Sequence, residues 1–479
     1  MSSLRQQAIN GMAWSAVGKI FSQLVQFVIG IIIARILVPS DYGIIGMLGI
    51  FIALANTLIN SGFGSALIQK QDRTDVDLCT AFWFNVVIGI SIYLLLYFSA
   101  PFIADFYNVP LLCPVTRVYT TSLLFNSLCI VQYAIYNIRL DFKTPALINF
   151  FNTIITGVLG ILLAYRGYGV WALVIQSLFS NFFNGLLLWY FAKWRPKLIF
   201  SYNSFKQLFS FGSRLLVSSS INTIYSNLYT IIIGKVLKPS DVGFYTQGKS
   251  YALLPVNTIQ SILLQVNYPI LAKLQNDRDR LISAYNKLLN IPLFILYPLL
   301  WGLIALGDPL ISLLVGEKWL PCVPILQILC LGFMFTPLTH INLNLLYVKG
   351  RTDLVLKLEL MKKPIGFSIV LVTMNYGLIW MVIGQALYEF IAFSFNCFYT
   401  GKLLNFGFIK QISCIFPIMA RSMIMGAVVY YVSILFDDNL YKLFVGIVLG
   451  VVFYFTTASI MKDRAMEDLK TVLREKYCK

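Results

Sequence analysis

Charge is what this sequence has least of. Only 12% of its 479 residues are Asp, Glu, Lys or Arg, against about a quarter in soluble domains. With 58% hydrophobic residues, no stretch is polar enough to stand as a soluble domain, and the chain reads as a membrane protein throughout. Histidine is represented once, by His340. The eight cysteines are scattered, with no Cys-x-x-Cys pair and no Cys/His cluster. They read as small apolar residues, neither disulfides nor metal ligands, and no cofactor is expected. The Gly-x-x-x-x-Gly-Lys-Ser/Thr loop is also missing, so the chain is not expected to hydrolyse ATP itself. Loops outside the apolar runs reach about twenty residues at most. That excludes a polysaccharide polymerase or ligase with its catalysis on a large outer loop. No cleavable signal peptide is expected, because the first apolar stretch exceeds a signal's apolar core and its flank VPSDYG lacks a small-residue cleavage site.

Long continuous apolar runs fill the chain instead. Such runs, without two-residue alternation, specify membrane-spanning helices and not a barrel. We read about fourteen spans, at 11–37, 42–67, 79–100, 113–137, 146–165, 168–192, 212–237, 242–266, 288–306, 321–347, 355–374, 377–400, 413–436 and 440–460. The net charge of +17 raises the question of nucleic acid, but its distribution follows the spans. With the N-terminus inside, the cytoplasmic segments hold 24 Lys and Arg and the outer segments seven. This asymmetry predicts that both termini are cytoplasmic, and no nucleic-acid partner is expected.

The chain appears to itself twice. Residues 31–45, IIIARILVPSDYGII, return as residues 231–245, IIIGKVLKPSDVGFY, with eight of fifteen positions identical. Six spans separate the copies, an even number, so the two halves run parallel. A weaker echo pairs Gly169, Trp171 and Gln176 with Gly377, Trp380 and Gln385. The expected architecture is all-α and polytopic. Residues 1–200 form an N-lobe of six spans, 201–400 a parallel C-lobe of six, and 401–479 an accessory helix pair with a tail that ends in a surface helix. The linker 193–212 contains SFKQLFSF, which reads as an in-plane amphipathic helix. In both repeats Ser40/Asp41 and Ser240/Asp241 sit where a helix restarts after proline. They are expected to cap it, while Gly43 and Gly243 ease packing.

Six cations fall inside the spans: Lys19, Arg214, Lys249, Lys362, Lys363 and Arg421. Each costs about 2.5–3.5 kcal/mol at a lipid-facing midplane, so each must pair, reach the interface or face a wet cavity. Arg421 reads as reaching the interface from a cytoplasmic helix end, and Arg214 as either doing so or facing the cavity. Glu359 lies three and four residues before Lys362 and Lys363, close enough to neutralise one of them. Lys19 and Lys249 have no carboxylate near them in sequence. Lys19, Arg214, Lys249, Lys362 and Lys363 are therefore the candidates for a cationic cavity, which implies an anionic, phosphate-bearing ligand. Glu359 and Glu389 are the clearest acidic residues within the spans. Glu359 and His340 are the candidates for coupling, although His340, beside Thr339 and Asn342, reads first as a packed polar residue.

The first span and its continuation, GMAWSAVGKIFSQLVQFVIGIIIARILVPSDYGIIGM, resemble the polysaccharide transporter family of the multidrug/oligosaccharidyl-lipid/polysaccharide exporter superfamily, the Wzx-like flippases. The resemblance extends along essentially the whole chain and is a diffuse pattern without a catalytic motif. It implies a two-lobed, drug-exporter-like fold that opens alternately inward and outward, and a transporter in place of an enzyme. The implied cargo is an undecaprenyl-pyrophosphate-linked oligosaccharide for O-antigen, capsule or exopolysaccharide. Lys19 and Arg214 match, by place in the lobe, basic positions such flippases use. Implied partners are the lipid-linked glycan, membrane lipid, and a polymerase or glycosyltransferases of the same pathway. A lipid II flippase shares this architecture; a drug exporter of the superfamily fits less well, because it favours acidic residues in its lumen.

Overall fold

A computed structural model describes residues 18, 21–60, 62–275, 277–461, 463 and 465–467. Among them every regular element is helical. The chain divides into two compact units, Met1–Gly243 and Phe244–Lys479.

The first unit contains α1 (Phe21–Ile36), α2 (Pro39–Asn60), α3 (Phe63–Gln69), α4 (Asp75–Tyr107), α5 (Leu112–Tyr119), α6 (Ser122–Ser127), α7 (Ile130–Ile138), α8 (Lys143–Tyr165), α9 (Val170–Ala192) and α10 (Tyr202–Val236). Helix α11 (Pro239–Lys273) begins there and continues into the second unit. The second unit adds α12 (Arg278–Ala305), α13 (Gly307–Val315), α14 (Val323–Phe333), α15 (Thr336–Val348), α16 (Thr352–Thr373), α17 (Leu378–Leu404), α18 (Phe408–Ile434) and α19 (Asn439–Ile460). Over the described residues each span read from the sequence falls on a helix or a run of short helices, the first of them only from Phe21 onward. The second span runs over α2 and α3, and the fourth and tenth, six apart and so equivalent in the repeat, are segmented further: α5–α7, and a 3-10 turn followed by α14 and α15.

Ten of these segments are long and apolar enough to cross a membrane. The long helices outside that set are α10, α11 and α16. They carry Arg214, Lys249, Glu359, Lys362 and Lys363. A helix that is polar along one stripe needs protein or water on that stripe and not lipid. The count of fourteen spans thus requires these polar helices to be held by their neighbours.

The repeated motif builds the same joint twice. Helix α1 ends at Ile36 and α2 starts at Pro39; α10 ends at Val236 and α11 starts at Pro239. Proline fits the first helical turn, where its missing N–H costs no bond. The Asp41 carboxylate accepts from the Val38 N–H at 3.3 Å, and Asp241 from the Lys238 N–H at 3.2 Å. Each is the back-reaching half of a capping box. The two joints then pack on each other within the first unit. A Cβ on Gly43 would lie 1.7 Å from the Pro239 carbonyl oxygen, and one on Gly243 would lie 2.0 Å from that of Pro39. Only glycine permits this approach of backbone to backbone. The weaker echo has structure as well: α9 and α17 both start after a glycine of positive φ, Gly169 at 54° and Gly377 at 91°.

One expectation fails. The SFKQLFSF stretch is not a separate in-plane helix but the opening turns of the uninterrupted α10. Ser201 caps it by accepting from the Ser204 N–H at 3.4 Å, and Phe205 packs with Phe63 and Phe84 against the first unit's core. Gly212 does not break the helix, because its backbone lies against Gly62. The expected surface helix after Met461 lies mostly outside the described residues.

A four-helix polar knot fastens the second unit. Asn342 Oδ1 accepts from Tyr285 OH at 2.8 Å, Thr400 Oγ1 at 2.6 Å and Gln411 Nε2 at 3.0 Å. Its Nδ2 donates to Gln411 Oε1 at 3.0 Å. These residues come from α15, α12, α17 and α18 and are fully buried. Their mutual satisfaction is what makes them tolerable there.

Candidate functional site

The charges of the second unit gather where α11, α15, α16 and α17 present polar residues. Tyr245 and Lys249, one turn apart on α11, face one group. The Lys249 Nζ stands 5.4 Å from the Tyr245 ring centroid, and Tyr245 OH donates to Gln385 Oε1 on α17 at 2.8 Å. One turn after Gln385 comes Glu389, whose Oε2 accepts from Thr336 Oγ1 at 3.1 Å. Lys249 and Glu389 thus belong to one polar group, joined through Tyr245 and Gln385.

Lys362 is 2% exposed. Its Nζ donates to Glu359 Oε1 at 2.7 Å and to Asn396 Oδ1 at 3.1 Å. The other Glu359 oxygen lies 3.8 Å from Lys363 Nζ. Asn396 is tied in turn to the Thr339 carbonyl, to which its Nδ2 donates at 3.4 Å. His340, next along α15, feels the charges of both Lys362 and Glu359. Glu359 thus stands between Lys362 and Lys363, while Lys249 and Glu389 lie in a second polar group joined by Tyr245 and Gln385. Three lysines face two carboxylates, leaving one formal positive charge with His340 neutral. Burial strengthens each attraction and raises the cost of breaking it.

This placement corrects the sequence reading in two respects. Lys249, which has no carboxylate near it in sequence, lies by the Tyr245 ring in the polar group that also holds Gln385. Arg421 does not reach for the interface. It is 5% exposed, ion-paired through Nη2 with Asp463, and packed between the Phe294 and Tyr454 rings at 5.8 and 5.3 Å. Lys362, Lys363, Glu359 and His340 do come together as a group. Lys19 lies outside the described residues, and Arg214 is placed on α10 with its side chain likewise outside them.

The first unit holds a feature that charge-based reading missed. A cavity of about 680 Å³ opens between α2, α3, α7 and α10. Its lining includes Thr57, Asn60, Ser65, Asn126, Tyr133 and Asn137, with no charged residue among the described ones. Asn126 Nδ2 donates to Asn56 Oδ1 at 2.7 Å, and Asn184 Nδ2 to Tyr133 OH at 2.9 Å, so part of the wall is held rigid. Amides, hydroxyls and one aromatic ring suit a neutral, hydroxyl-rich ligand. The signal present in the sequence is the run NTLINSGFGSA at 56–66, unusually rich in Asn, Ser, Thr and Gly for a segment between apolar runs.

Comparison with known proteins gives this chemistry a context. Residues 32–324, more than half of the chain, match the polysaccharide biosynthesis protein family. The chain belongs to that family. It is 28% identical over 357 residues to the teichuronic acid biosynthesis protein TuaB of Bacillus subtilis, covering 74% of each chain. It is also 28% identical over 368 residues to the lipopolysaccharide biosynthesis protein WzxC of Escherichia coli, covering 75% of this chain and 74% of that protein. Among solved structures it shares the fold of the lipid II flippase MurJ in its inward closed conformation. The TM-score is 0.77 at 18% identity, over 93% of this chain and 98% of that one. An inward-facing MATE transporter of the MOP superfamily follows with a TM-score of 0.61 at 15% identity, over 83% of this chain and 95% of the other. The fold is therefore polytopic and all-helical, the one shared by the lipid II flippase MurJ and the MATE transporter.

Proposed function

We propose that this protein is a flippase that carries an undecaprenyl-pyrophosphate-linked oligosaccharide, a repeat unit of O-antigen, capsule or exopolysaccharide, across the bacterial inner membrane by alternating access. It acts as a transporter without making or breaking bonds in its cargo. Both termini are cytoplasmic, and glycosyltransferases and a polymerase of the same pathway supply and consume the cargo. The observation that carries this reading is the family match over residues 32–324. The chemistry of the two units accords with it. A neutral cavity of amides and hydroxyls suits sugar hydroxyls. The lysine-rich series Lys249, Lys362 and Lys363, with Lys19 and Arg214, suits the pyrophosphate. Glu359 and His340, interleaved with those lysines, are the groups through which cargo charge couples to protonation.

Deletion of the gene tests the reading. Lipid-linked glycan should accumulate on the inner face and surface glycan should disappear; normal surface glycan after deletion, in a strain with no second homologue, overturns it. Transport left intact by Lys19→Ala, Lys249→Ala and Lys363→Ala alike overturns the cationic site while leaving the flippase reading standing.

The likeness to the MurJ fold favours a second reading, lipid II as cargo. It predicts that the chain restores growth to cells depleted of their own lipid II flippase. The glycan reading predicts no rescue.

A further inference from the structure

A second cavity, of about 840 Å³, lies wholly within the second unit, between α12, α18 and the residues that follow α19. It is separate from the lysine–glutamate series, and its lining differs in kind from that of the neutral cavity. Lys287, Lys410 and Arg421 line it, against Asp463. At its buried end Arg421 gives Nη2 to Asp463, while its Nε and Nη1 find no hydrogen-bond partner among the described residues. Asn286 and Asn290, one turn apart on α12, each turn a buried amide oxygen that meets no donor among the described residues. Lys410 Nζ sits nearer the mouth, on the Asn405 carbonyl at 2.8 Å. At the mouth stand two apolar side chains, Ile409 at 81% and Met461 at 68% exposure.

Buried orphan donors and acceptors each cost about 1–3 kcal/mol, and native interiors rarely leave several in one place. Here they are complementary to a single kind of molecule. A buried guanidinium with two unpartnered N–H edges calls for an anion, most naturally a phosphate. Two open amide oxygens call for hydroxyl donors. Exposed apolar residues at the opening call for hydrocarbon. We infer that this cavity binds an anionic glycerophospholipid by its phosphoglycerol headgroup. Arg421 takes the phosphate, Asn286 and Asn290 take the glycerol hydroxyls, and the acyl chains leave past Ile409 and Met461. Asp463 is the internal competitor: it holds one edge of Arg421 and repels the incoming phosphate.

The site does not depend on the identity of the cargo, so its test reads binding and not transport. The full chain in detergent is titrated with phosphatidylglycerol, phosphatidylcholine, glycerol 3-phosphate and inorganic phosphate. The midpoint of thermal unfolding gives the affinity. Phosphatidylglycerol should stabilise saturably, and phosphatidylcholine should not. Arg421→Gln should weaken phosphatidylglycerol at least about tenfold, the loss expected for one charge-assisted hydrogen bond. Should that variant fail to fold, Asp463→Asn and Asn286→Ala/Asn290→Ala decide. The first should tighten binding roughly fivefold by removing like charge, and the second should weaken it. Equal stabilisation by phosphatidylcholine overturns the inference, as does unchanged affinity in both Asp463→Asn and the asparagine pair. Stabilisation by glycerol 3-phosphate or phosphate as strong as by the lipid assigns the cavity to a soluble phosphate and overturns the lipid.

Discussion

Asn342 and Gln411 exchange two hydrogen bonds, each 3.0 Å long, with both side chains fully buried. Tyr285 and Thr400 also donate to the same Asn342 oxygen, so one amide holds four helices. Asn342→Leu takes a hydrogen bond from three partners at once, although Thr400 keeps the Asn396 carbonyl and Gln411 the Phe406 carbonyl. We expect a loss of about 2–3 kcal/mol, allowing for partial re-pairing within the membrane. Thermal unfolding in detergent measures it, and an unchanged midpoint would show that the knot carries no stability.

The reciprocal glycine contact makes a sharper distinction between positions that look alike in sequence. Gly43→Ala drives a Cβ onto the Pro239 carbonyl, and this backbone atom cannot swing aside. Loss of about 2 kcal/mol or more is expected. Gly49, two turns along the same helix, has open space where a Cβ would go. Gly49→Ala should be neutral or stabilising by up to about 1 kcal/mol. Equal expression and stability of the two variants would show that the joint tolerates separation.

Glu359 is the closest counter-charge of Lys362. Glu359→Gln leaves a buried ammonium with the Asn396 oxygen as its remaining partner. A cost of about 3–5 kcal/mol is expected. The double variant Glu359→Gln/Lys362→Met removes both charges and should recover most of it. A cycle of the two single variants and the double gives the coupling energy. A coupling near zero would mean that Lys363 or Glu389 replaces the missing partner freely.

The neutral cavity should read sugar and not phosphate. Asn60→Ala and Asn137→Ala together should lower transport of a full repeat unit about tenfold, the equivalent of one lost hydrogen bond. Transport of a lipid-linked monosaccharide, too short to need the cavity, should change little. An assay that delivers both substrates to the same vesicles checks this, and an equal loss for both would move sugar recognition elsewhere.

Local order was legible in the sequence where it depends on neighbours along the chain. The break before Pro39 and Pro239 follows from the Pro-Ser-Asp motif, and the Glu359–Lys362 pair follows from helical spacing. The glycine starts of α9 and α17 were visible as a faint echo. What stayed hidden depends on distance in sequence. Nothing in the chain near Lys249 points to Glu389, and nothing near Arg421 points to Asp463, because helix packing brings them together. The neutral cavity was hidden for another reason. Charge in a membrane span stands out because it is costly, whereas asparagine and serine are cheap enough to pass unnoticed. The in-plane helix was misread because amphipathicity alone does not say whether the apolar face meets lipid or, as with Phe205, a protein core.

The contact of Gly43 with Pro239 and of Gly243 with Pro39 is symmetric: each copy of the motif offers the other the same surface that it receives. Two identical polypeptides related by a two-fold axis meet in this way, as an isologous homodimer interface. When such a pair is fused into one chain the interface becomes internal, and its two halves drift apart in sequence except where the contact forbids it. Proline and glycine at 39 and 43, and again at 239 and 243, are the identical positions of the repeat that make this reciprocal contact.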